Sequence, residues 1–474
     1  MPSAGDLRGL WPELIVAAAA LLVMVWATFL PSHRQAVLRW VSAGALGAGI
    51  WATLALGPDR PSLFAGMYAR DGMTVVLQVA ALVTALLALA LAGDYVTRTR
   101  LDAGEFYALL LTAALGAMVM AASTDLVMVF LGLETLSIPL YVLAAFARAD
   151  LRSQEAGMKY FLLGAFSTVF FLYGMALIYG ATGSTSLARL ADATAQPLLL
   201  SVGVGLLLVG LAFKAAVVPF HTWAPDVYEG APLPVTAYMS VIAKVGAFAA
   251  LLRIFPAALG PTADWTGVLA VLSILTMGLG NLAALRQTSL KRLLAYSSIA
   301  HAGFLLIGVA AGTDQGAWAV AFYLPVYAFM TLGAFAVALM VARAGGEADQ
   351  IADLTGLAWR SPALAAAMAV FMVALAGLPP TAGFVGKLYI FAAALDAGRP
   401  ALALVGVLAS VVSAYFYLRV AYTMFTGEPR GDVTFTGDRW LAGSLLVAVA
   451  AVLALGIFPS PLTVFVQQLA QVLR

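Results

Sequence analysis

Long apolar stretches alternate with short polar connections along the whole chain, and this pattern predicts membrane-spanning helices. An α-helix needs roughly 20 apolar residues to cross the hydrocarbon core of a bilayer, and fourteen stretches approach or exceed that length. The connections carry turn-forming residues, as at Gly57-Pro58-Asp59 and Gly345-Gly346. The predicted spans are 11–31, 36–57, 73–93, 105–122, 124–147, 157–181, 197–228, 231–255, 264–285, 292–312, 316–342, 362–398, 400–426 and 440–459.

Two of these spans are longer than a bilayer requires, and both contain proline. Pro219 interrupts the span at 197–228, and Pro379-Pro380 interrupts the span at 362–398. Proline removes a backbone donor and clashes with the preceding turn, so each helix is expected to be discontinuous. Broken helices in corresponding positions are typical of transporters built from inverted repeats. We therefore predict two inverted five-helix repeats, at about 105–255 and about 264–426.

The composition predicts an all-α polytopic membrane protein and excludes a soluble enzyme. Charged residues make up 10% of the chain and hydrophobic residues 63%, whereas ordinary soluble domains carry roughly 25% charged residues. No linker or shift in composition divides the chain, so residues 1–474 are predicted to form one transmembrane domain. The start of the chain lacks a basic segment ahead of a short apolar stretch, so no cleaved signal peptide is expected.

Charge and cysteine content exclude several further classes. The net charge of +2 is too small to suggest nucleic-acid binding. The absence of cysteine excludes disulfides, thiolate catalysis, cysteine-ligated iron–sulfur clusters and zinc–thiolate sites within this chain.

Positive residues in the loops predict the orientation, because cytoplasmic loops are enriched in lysine and arginine. Loops on the side of the N terminus carry seven, namely Arg8, Arg60, Arg70, Arg189, Arg253, Arg399 and Arg474. Loops on the opposite side carry thirteen, namely Arg34, Arg39, Arg98, Arg100, Arg148, Arg152, Arg286, Lys291, Arg292, Arg343, Arg360, Arg430 and Arg439. The richer side is therefore predicted to be cytoplasmic, and both termini to lie on the outer side.

Four ionisable side chains inside the predicted spans are the main candidates: Glu134, Lys214, Lys244 and Lys387. An ionisable group inside a bilayer costs at least a few kcal/mol, so such a residue is a candidate functional residue. Glu134 could instead form a structural ion pair with one lysine, and a lysine near a span end could extend to the membrane surface. One carboxylate cannot neutralise three lysines, however, so at least one lysine must change its protonation state or contact water.

These residues predict a proton relay along a hydrated polar axis joining the fifth, seventh, eighth and twelfth spans. Burial disfavours the charged form of a lysine, so a buried lysine can gain and lose a proton near neutral pH. At about 6 Å and an effective dielectric of about 20, Glu134 and a lysine interact by roughly 3 kcal/mol. A change in their separation alters the proton affinity of the lysine by that amount. The pair is therefore a candidate switch for moving protons.

Other polar residues in the spans are weaker candidates. His221 lies in the first break and His301 in the tenth span, and each suits either a relay with water or a structural hydrogen bond. Lys159 is expected either to reach the membrane surface or to join the relay. Arg419 does not release its proton, so it is expected to form a structural pair or to anchor a phosphate. His33, in the first loop, is expected to be solvated.

Three long motifs resemble a known family. They are AFKAAVVPFHTWAPDVYEGAP (Ala212–Pro232), LKRLLAYSSIAHAG (Leu290–Gly303) and GLPPTAGFVGK (Gly377–Lys387). All three are similar to the antiporter-like, proton-pumping membrane subunits of respiratory complex I, and the likeness runs along essentially the whole chain. The motifs are long enough to be specific for this superfamily.

The resemblance is greatest to the N-type subunits of bacterial NADH-quinone oxidoreductase. LETLSIPLYVL (Leu133–Leu143) and APDVYEGAP (Ala224–Pro232) carry this likeness. The M-type subunits tend to carry glutamate where this chain has Lys387, and the L-type subunits continue into a long lateral helix. Subunits of multisubunit cation/proton antiporters resemble the stretch from Trp223 to Pro232 less well. Such an antiporter subunit, or a subunit of a membrane-bound hydrogenase, is the alternative interpretation.

The resemblance implies fourteen helices in two inverted five-helix repeats, in a bacterial inner membrane with both termini on the periplasmic side. It implies that Glu134, Lys214, Lys244 and Lys387 occupy proton-transfer positions, with Lys159, His221 and His301 as relay candidates. It also implies that NADH, FMN, iron–sulfur clusters and quinone are bound by other subunits, and that this chain holds no cofactor. The implied partners are the other membrane subunits of complex I, including neighbouring antiporter-like subunits, and lipids.

Overall fold

The computed structural model describes residues 4–31, 35–58, 60–99, 101, 103–190, 196–259, 265–343, 346–347, 349–429 and 433–470. His33 and four of the loop arginines (Arg34, Arg100, Arg430 and Arg474) lie outside these ranges. The helices are α1 (Ala4–Gly9), α2 (Trp11–Phe29), α3 (Val37–Leu56), α4 (Gly72–Arg98), α5 (Ala103–Ala122), α6 (Leu126–Ala144), α7 (Leu151–Thr182), α8 (Pro197–Ala215), α9 (Trp223–Gly230), α10 (Leu233–Leu252), α11 (Trp265–Ala284), α12 (Leu290–Ala311), α13 (Asp314–Met340), α14 (Leu357–Arg360), α15 (Pro362–Ala376), α16 (Ala382–Asp396), α17 (Pro400–Phe425), α18 (Arg439–Ile457) and α19 (Ser460–Ala470).

The described helices confirm the prediction of an all-α polytopic membrane protein. Thirteen of them are long and apolar enough to cross a bilayer, and they correspond to thirteen of the fourteen predicted spans. The remaining span forms α15 and α16, each 15 residues long and too short to cross alone. The sixth span begins at Leu151 rather than at 157, because the Asp150 carboxylate caps α7 by accepting from the Arg152 amide at 2.9 Å.

Both predicted helix breaks are present. Helix α8 ends at Ala215 and is followed by Ala216 in the left-handed region (φ 58°), before α9 begins at Trp223. Helix α15 ends at Ala376 and is followed by Gly377 with φ 80°, before α16 begins. The prolines therefore fall between two half-helices in each case. The relation of the two halves of the chain by an inverted repeat stays a prediction.

The centre of the molecule is formed by α10, α12 and α13, which are almost entirely buried. Every residue of α10 is buried, and this helix packs against α4, α5, α6, α8, α12 and α13. Outer helices such as α7 leave large apolar side chains exposed, among them Leu162 and Phe166. Central helices can therefore hold polar groups away from lipid, and Lys244 and His301 lie on two of them.

Short strands lie outside the spanning helices. Strands β1 (Arg60–Leu63) and β2 (Tyr68–Arg70) form an antiparallel pair with Arg60 opposite Arg70. Strand β3 (Val341–Arg343) lies between β4 (Gly346–Glu347) and β5 (Val433–Phe435), antiparallel to both. These strands are not predictable from the sequence, because pieces of two to four residues have no readable alternation of apolar and polar positions.

Candidate functional site

Lys214 lies in the last turn of α8, directly before the first break, and its side chain is buried. Its Nζ donates to the Tyr160 hydroxyl at 3.2 Å. The same ammonium lies 5.2 Å from the centre of the Tyr160 ring and 5.5 Å from that of Tyr141. Aromatic faces attract a cation through their negative π-surface. The environment of Lys214 is therefore aromatic, with one hydroxyl as its hydrogen-bond acceptor.

Glu134 does not form a direct ion pair with Lys214 among the described residues. Its carboxylate, half-buried on α6, accepts from the Thr168 hydroxyl of α7 at 2.8 Å. The simple structural ion pair of these two residues is therefore absent from the described part of the chain, and the switch stays a prediction.

Lys244 lies on α10 with 1% of its surface exposed. Its Nζ donates to the Ser298 hydroxyl of α12 and, at 3.4 Å, to the Ser240 carbonyl one turn earlier. The Tyr327 ring of α13 lies 5.6 Å from the ammonium. Every one of these partners is neutral, and the Ser298 hydroxyl can both accept and donate a hydrogen bond.

His301 is held between two tyrosines. The Tyr323 hydroxyl lies 2.8 Å from Nδ1, and the Tyr417 hydroxyl lies 3.2 Å from Nε2. Tyr417 also shares a 2.5 Å hydrogen bond with Ser297. The imidazole is 1% exposed. Both ring nitrogens therefore have hydroxyl partners, which fits either of the two roles predicted for this residue.

Lys387 reaches back across the second break. Its Nζ donates to the carbonyls of Leu375 (3.1 Å) and Ala376 (2.9 Å), the last residues of α15. The last carbonyls of a helix lack partners and carry partial negative charge, so they attract an ammonium group. The Phe304 ring lies 4.5 Å from the same nitrogen.

The two weaker candidates near the first break differ from the lysines. Lys159 is 43% exposed and pairs with Glu155 (2.7 Å) and Asp226 (3.1 Å). Asp226 also pairs with Arg292 at 3.0 Å. Lys159 therefore belongs to an ionic cluster with Asp226 and Arg292, and both of its predicted roles stay predictions. His221 lies between α8 and α9, half-buried, and its Nδ1 has no hydrogen-bond partner among the described residues.

Among the described residues, Arg419 forms no ion pair with a carboxylate, and its role as a phosphate anchor stays a prediction. Its guanidinium donates to the carbonyls of Leu285 (3.0 Å) and Gln287 (2.5 Å), just after the end of α11. Lys387 and Arg419 thus follow one rule: each binds the carbonyl end of a helix. The expectation that water must solvate the excess lysines rested on counting carboxylates, which overlooks hydroxyls and helix ends. Hydration of the axis stays a prediction.

Sequence reasoning missed the tyrosines that contact the candidate residues. Tyr160, Tyr323 and Tyr417 are buried, and each contributes a hydroxyl to Lys214 or His301. They lie on α7, α13 and α17, on different helices from their partners and between 22 and 116 positions away from them. A buried tyrosine in an apolar span is weak evidence for a functional residue, because its apolar ring is enough to explain its burial.

A polar cavity of about 700 Å³ lies on the arginine-rich side of the molecule. Its lining includes Arg98, Arg152, Glu229, Lys291 and Asp349. Within the described ranges, no group of three or more His, Asp or Glu side chains is arranged to hold a metal ion.

Known proteins share this architecture. A family model described as "NADH:quinone oxidoreductase/Mrp antiporter, TM" matches residues 123–413. NADH-quinone oxidoreductase subunit N of Trichlorobacter lovleyi is 46% identical, over 98% of this chain and 96% of that protein. A chain of respiratory complex I from Thermus thermophilus is 38% identical with a TM-score of 0.83, covering 95% of this chain and 98% of that one.

An antiporter structure shares the fold at lower sequence identity. A chain of the Mrp complex from Dietzia superposes with a TM-score of 0.85 over 99% of this chain and 97% of that one, but is 24% identical. That identity shows a common fold only. The subunit N relative matches nearly the full length of both proteins. This chain therefore belongs to the NADH:quinone oxidoreductase/Mrp antiporter membrane family and, within it, to the subunit N group.

Proposed function

We propose that this chain is a proton-translocating membrane subunit of an NADH:quinone oxidoreductase. In this proposal, quinone reduction elsewhere in the complex drives protons through Glu134, Lys214, Lys244 and Lys387. The observation that carries the proposal is that three lysines buried in the spans have only neutral hydrogen-bond partners among the described residues. A buried charge without a counterion lowers the stability of the protein. The presence of three such lysines is therefore best explained by a function.

Neutral partners suit proton exchange better than carboxylates do. A carboxylate would hold the lysine in its charged form, whereas a hydroxyl accepts from an ammonium group and donates to a neutral amine. Lys214 and Lys244 each have such a hydroxyl, from Tyr160 and Ser298. These two lysines are therefore the proton carriers in the proposal. His301 extends the path through its tyrosine partners, and His221 and Lys159 are further relay candidates.

The arrangement in the membrane is part of the same proposal. The arginine-rich side faces the cytoplasm and both termini face the periplasm of a bacterial inner membrane. The chain forms one domain of two inverted repeats and contacts the other membrane subunits of complex I, including neighbouring antiporter-like subunits, and lipids. NADH, FMN, iron–sulfur clusters and quinone are bound by those other subunits. The alternative, a subunit of a cation/proton antiporter or of a membrane-bound hydrogenase, is less supported, because the antiporter chain is 24% identical to this chain whereas the subunit N relative is 46% identical.

Lys244→Arg tests the proposal most sharply. Arginine keeps the positive charge and does not release its proton, so a proton carrier fails while a static cation survives. We expect Lys244→Arg and Lys244→Ala to lose proton pumping and the coupled quinone reductase rate. Inverted membrane vesicles report NADH oxidation together with a pH-gradient dye, and a blot quantifies the assembled subunit. If Lys244→Arg pumps at the wild-type ratio of protons to electrons, Lys244 is not a carrier.

A further inference from the structure

Glu13 is a carboxyl group buried near the end of a spanning helix. It lies in the first turn of α2 and is 5% exposed. Its Oε1 accepts from the Tyr68 hydroxyl of β2 and from Nε2 of Gln78 on α4. The same Nε2 lies 3.1 Å from the Tyr68 oxygen and 3.4 Å from the Met118 carbonyl of α5. This one side chain therefore joins α2 to both β2 and α4.

Two buried oxygens of this cluster have no hydrogen-bond partner among the described residues, namely Oε2 of Glu13 and Oε1 of Gln78. Both donors that reach Glu13 bind its other oxygen, Oε1. A carboxylate spreads its negative charge over two oxygens, so an ionised Glu13 would bury part of that charge on an oxygen without a donor. Buried polar atoms are nearly always satisfied, and an unsatisfied charged one is especially unfavourable. The cluster therefore lacks a hydrogen at the acid itself.

The cations around the cluster do not supply that hydrogen. The charge of Arg70 on β2 acts on Glu13, but the guanidinium donates to the carbonyls of Gly9, Thr53 and Gly57 at 3.0 to 3.1 Å. Glu13 has no ion pair among the described contacts. Other charged groups on the adjoining elements are exposed or bound elsewhere: Asp6 accepts from the Phe64 amide, Arg8 is exposed, Arg39 binds Asp438, Asp71 binds Arg253 and Glu105 binds Arg148.

We propose that Glu13 is a proton-binding site and that the folded protein holds its carboxyl group in the neutral form. A proton on Oε2 converts that oxygen from an acceptor into a donor and removes the buried charge. Oε1 remains the acceptor for Tyr68 and Gln78. Loss of the proton to water at alkaline pH leaves a buried carboxylate, which weakens the junction of α2 with β2 and α4. The site shares no described contact with Lys214, Lys244 or Lys387, so it does not depend on the proposed function.

Glu13→Gln tests the site, because glutamine has the shape of the protonated acid and cannot ionise. An acid that is protonated in the folded chain and ionised in the unfolded chain releases a proton on unfolding, so stability falls as the pH rises. We therefore expect the melting temperature of the wild-type complex to fall relative to that of Glu13→Gln as the pH is raised above roughly 4. An ionised Glu13 that Tyr68 and Arg70 stabilise predicts the opposite slope.

Glu105→Gln is the matched control. Glu105 also lies in the first turn of a spanning helix, α5, but it is 45% exposed and pairs with the exposed Arg148 at 3.1 Å. Exposed pairs of this kind contribute little to stability, so we expect this variant to differ little from the wild type at any pH. Glu13→Gln should also assemble in wild-type amounts, which a blot of the membranes measures. Loss of the subunit in this variant alone would contradict a neutral carboxyl group.

Infrared spectroscopy detects the proton independently of stability. In a complex labelled with ¹³C-carboxyl glutamate, we expect a protonated-carboxyl band at neutral pH that is absent from Glu13→Gln and is retained in Glu105→Gln. The band should disappear at alkaline pH. If wild type and Glu13→Gln show the same spectrum at neutral pH, the site does not hold a proton. The proposal is also wrong if sodium, at constant ionic strength, raises the melting temperature of the wild type and not of Glu13→Gln, because the two oxygens then bind a metal cation.

Discussion

The Lys387 ammonium lies 2.9 Å from the Ala376 carbonyl, so a lysine of α16 caps the end of α15 across the second break. The contact is possible because Gly377 separates the two half-helices. A Cβ on this glycine would lie 2.6 Å from the Lys387 Cδ, and its φ of 80° also disfavours a side chain. The break and the buried cation are therefore one structural unit.

We predict that Lys387→Met weakens the contact between α15 and α16 and reduces proton pumping. Methionine fills a similar volume but leaves the Leu375 and Ala376 carbonyls without this donor, at a cost of about 1–3 kcal/mol. Thermal unfolding of the purified complex measures the loss of stability. Gly377→Ala should reproduce it by displacing the intact lysine. Wild-type stability in both variants would show that the contact is dispensable.

The buried pair between Asp71 and Arg253 should be essential for folding. Arg253 donates to both carboxylate oxygens, at 2.9 and 3.0 Å, and also to the Ala121 carbonyl. Burial acts to raise the pKa of Asp71, but the neighbouring Arg253 outweighs it and lowers the pKa below its usual value.

We predict that Asp71→Asn sharply reduces the amount of assembled subunit. The amide can still accept from the Thr74 amide as an N-cap, yet it leaves Arg253 as an uncompensated buried charge, at about 3–5 kcal/mol. The blot signal of the subunit in membranes is the measurement. Asp125→Asn is the control, because Asp125 caps α6 in the same way, has no ion pair among the described contacts, and should assemble nearly normally.

Stability at acid pH should depend on Asp438. This carboxylate pairs with Arg39 at 2.5 Å, and Arg39 also contacts the Trp440 ring. Burial acts to raise the pKa of Asp438, but the hydrogen bond and charge of Arg39 lower it below its usual value. A lowered folded-state pKa gives stability that is present above the unfolded pKa of roughly 4 and is lost as the pH falls through the folded value.

We therefore predict that Asp438→Asn lowers the melting temperature at neutral pH and that the difference from wild type shrinks as the pH is lowered. Thermal unfolding of the complex across an acid pH series is the measurement. Asp150→Asn provides the comparison, since Asp150 is also a helix N-cap but is exposed. If the melting temperature of Asp438→Asn stays below that of the wild type by the same amount at every pH, this ion pair is not the source of the difference.

The orientation can be tested directly because the chain contains no cysteine. Asp314, the first residue of α13, and Glu428, in the loop after α17, are exposed at positions predicted to lie on opposite sides of the membrane. We predict that a membrane-impermeant maleimide labels Asp314→Cys from the periplasmic side and Glu428→Cys only in inverted vesicles. The labelled subunit is read after separation on a gel. Labelling of both positions from one side would overturn the predicted topology.

The sequence by itself determined the number and order of the spans, the two breaks and the buried ionisable residues. Apolar length and proline position act locally, so spans such as 400–426 are reproduced by α17 within one residue. The same local reasoning identified Lys214, Lys244 and Lys387, because an ionisable group within twenty apolar residues is visible without any knowledge of its neighbours.

Only the tertiary structure decided what those side chains contact. Lys244 reaches Ser298 across 54 positions, and Tyr417 reaches Ser297 across 120. For the lysines, the spans offer Glu134 as the expected partner in sequence, whereas the structure provides hydroxyls and the carbonyl ends of helices. A helix end is a partner only when its orientation brings it to the cation, and helix packing alone sets that orientation. The physical reason is that a segment spans the membrane when the free energy of transferring its own residues into lipid is favourable. Hydrogen-bond partners depend instead on how separate helices pack against one another.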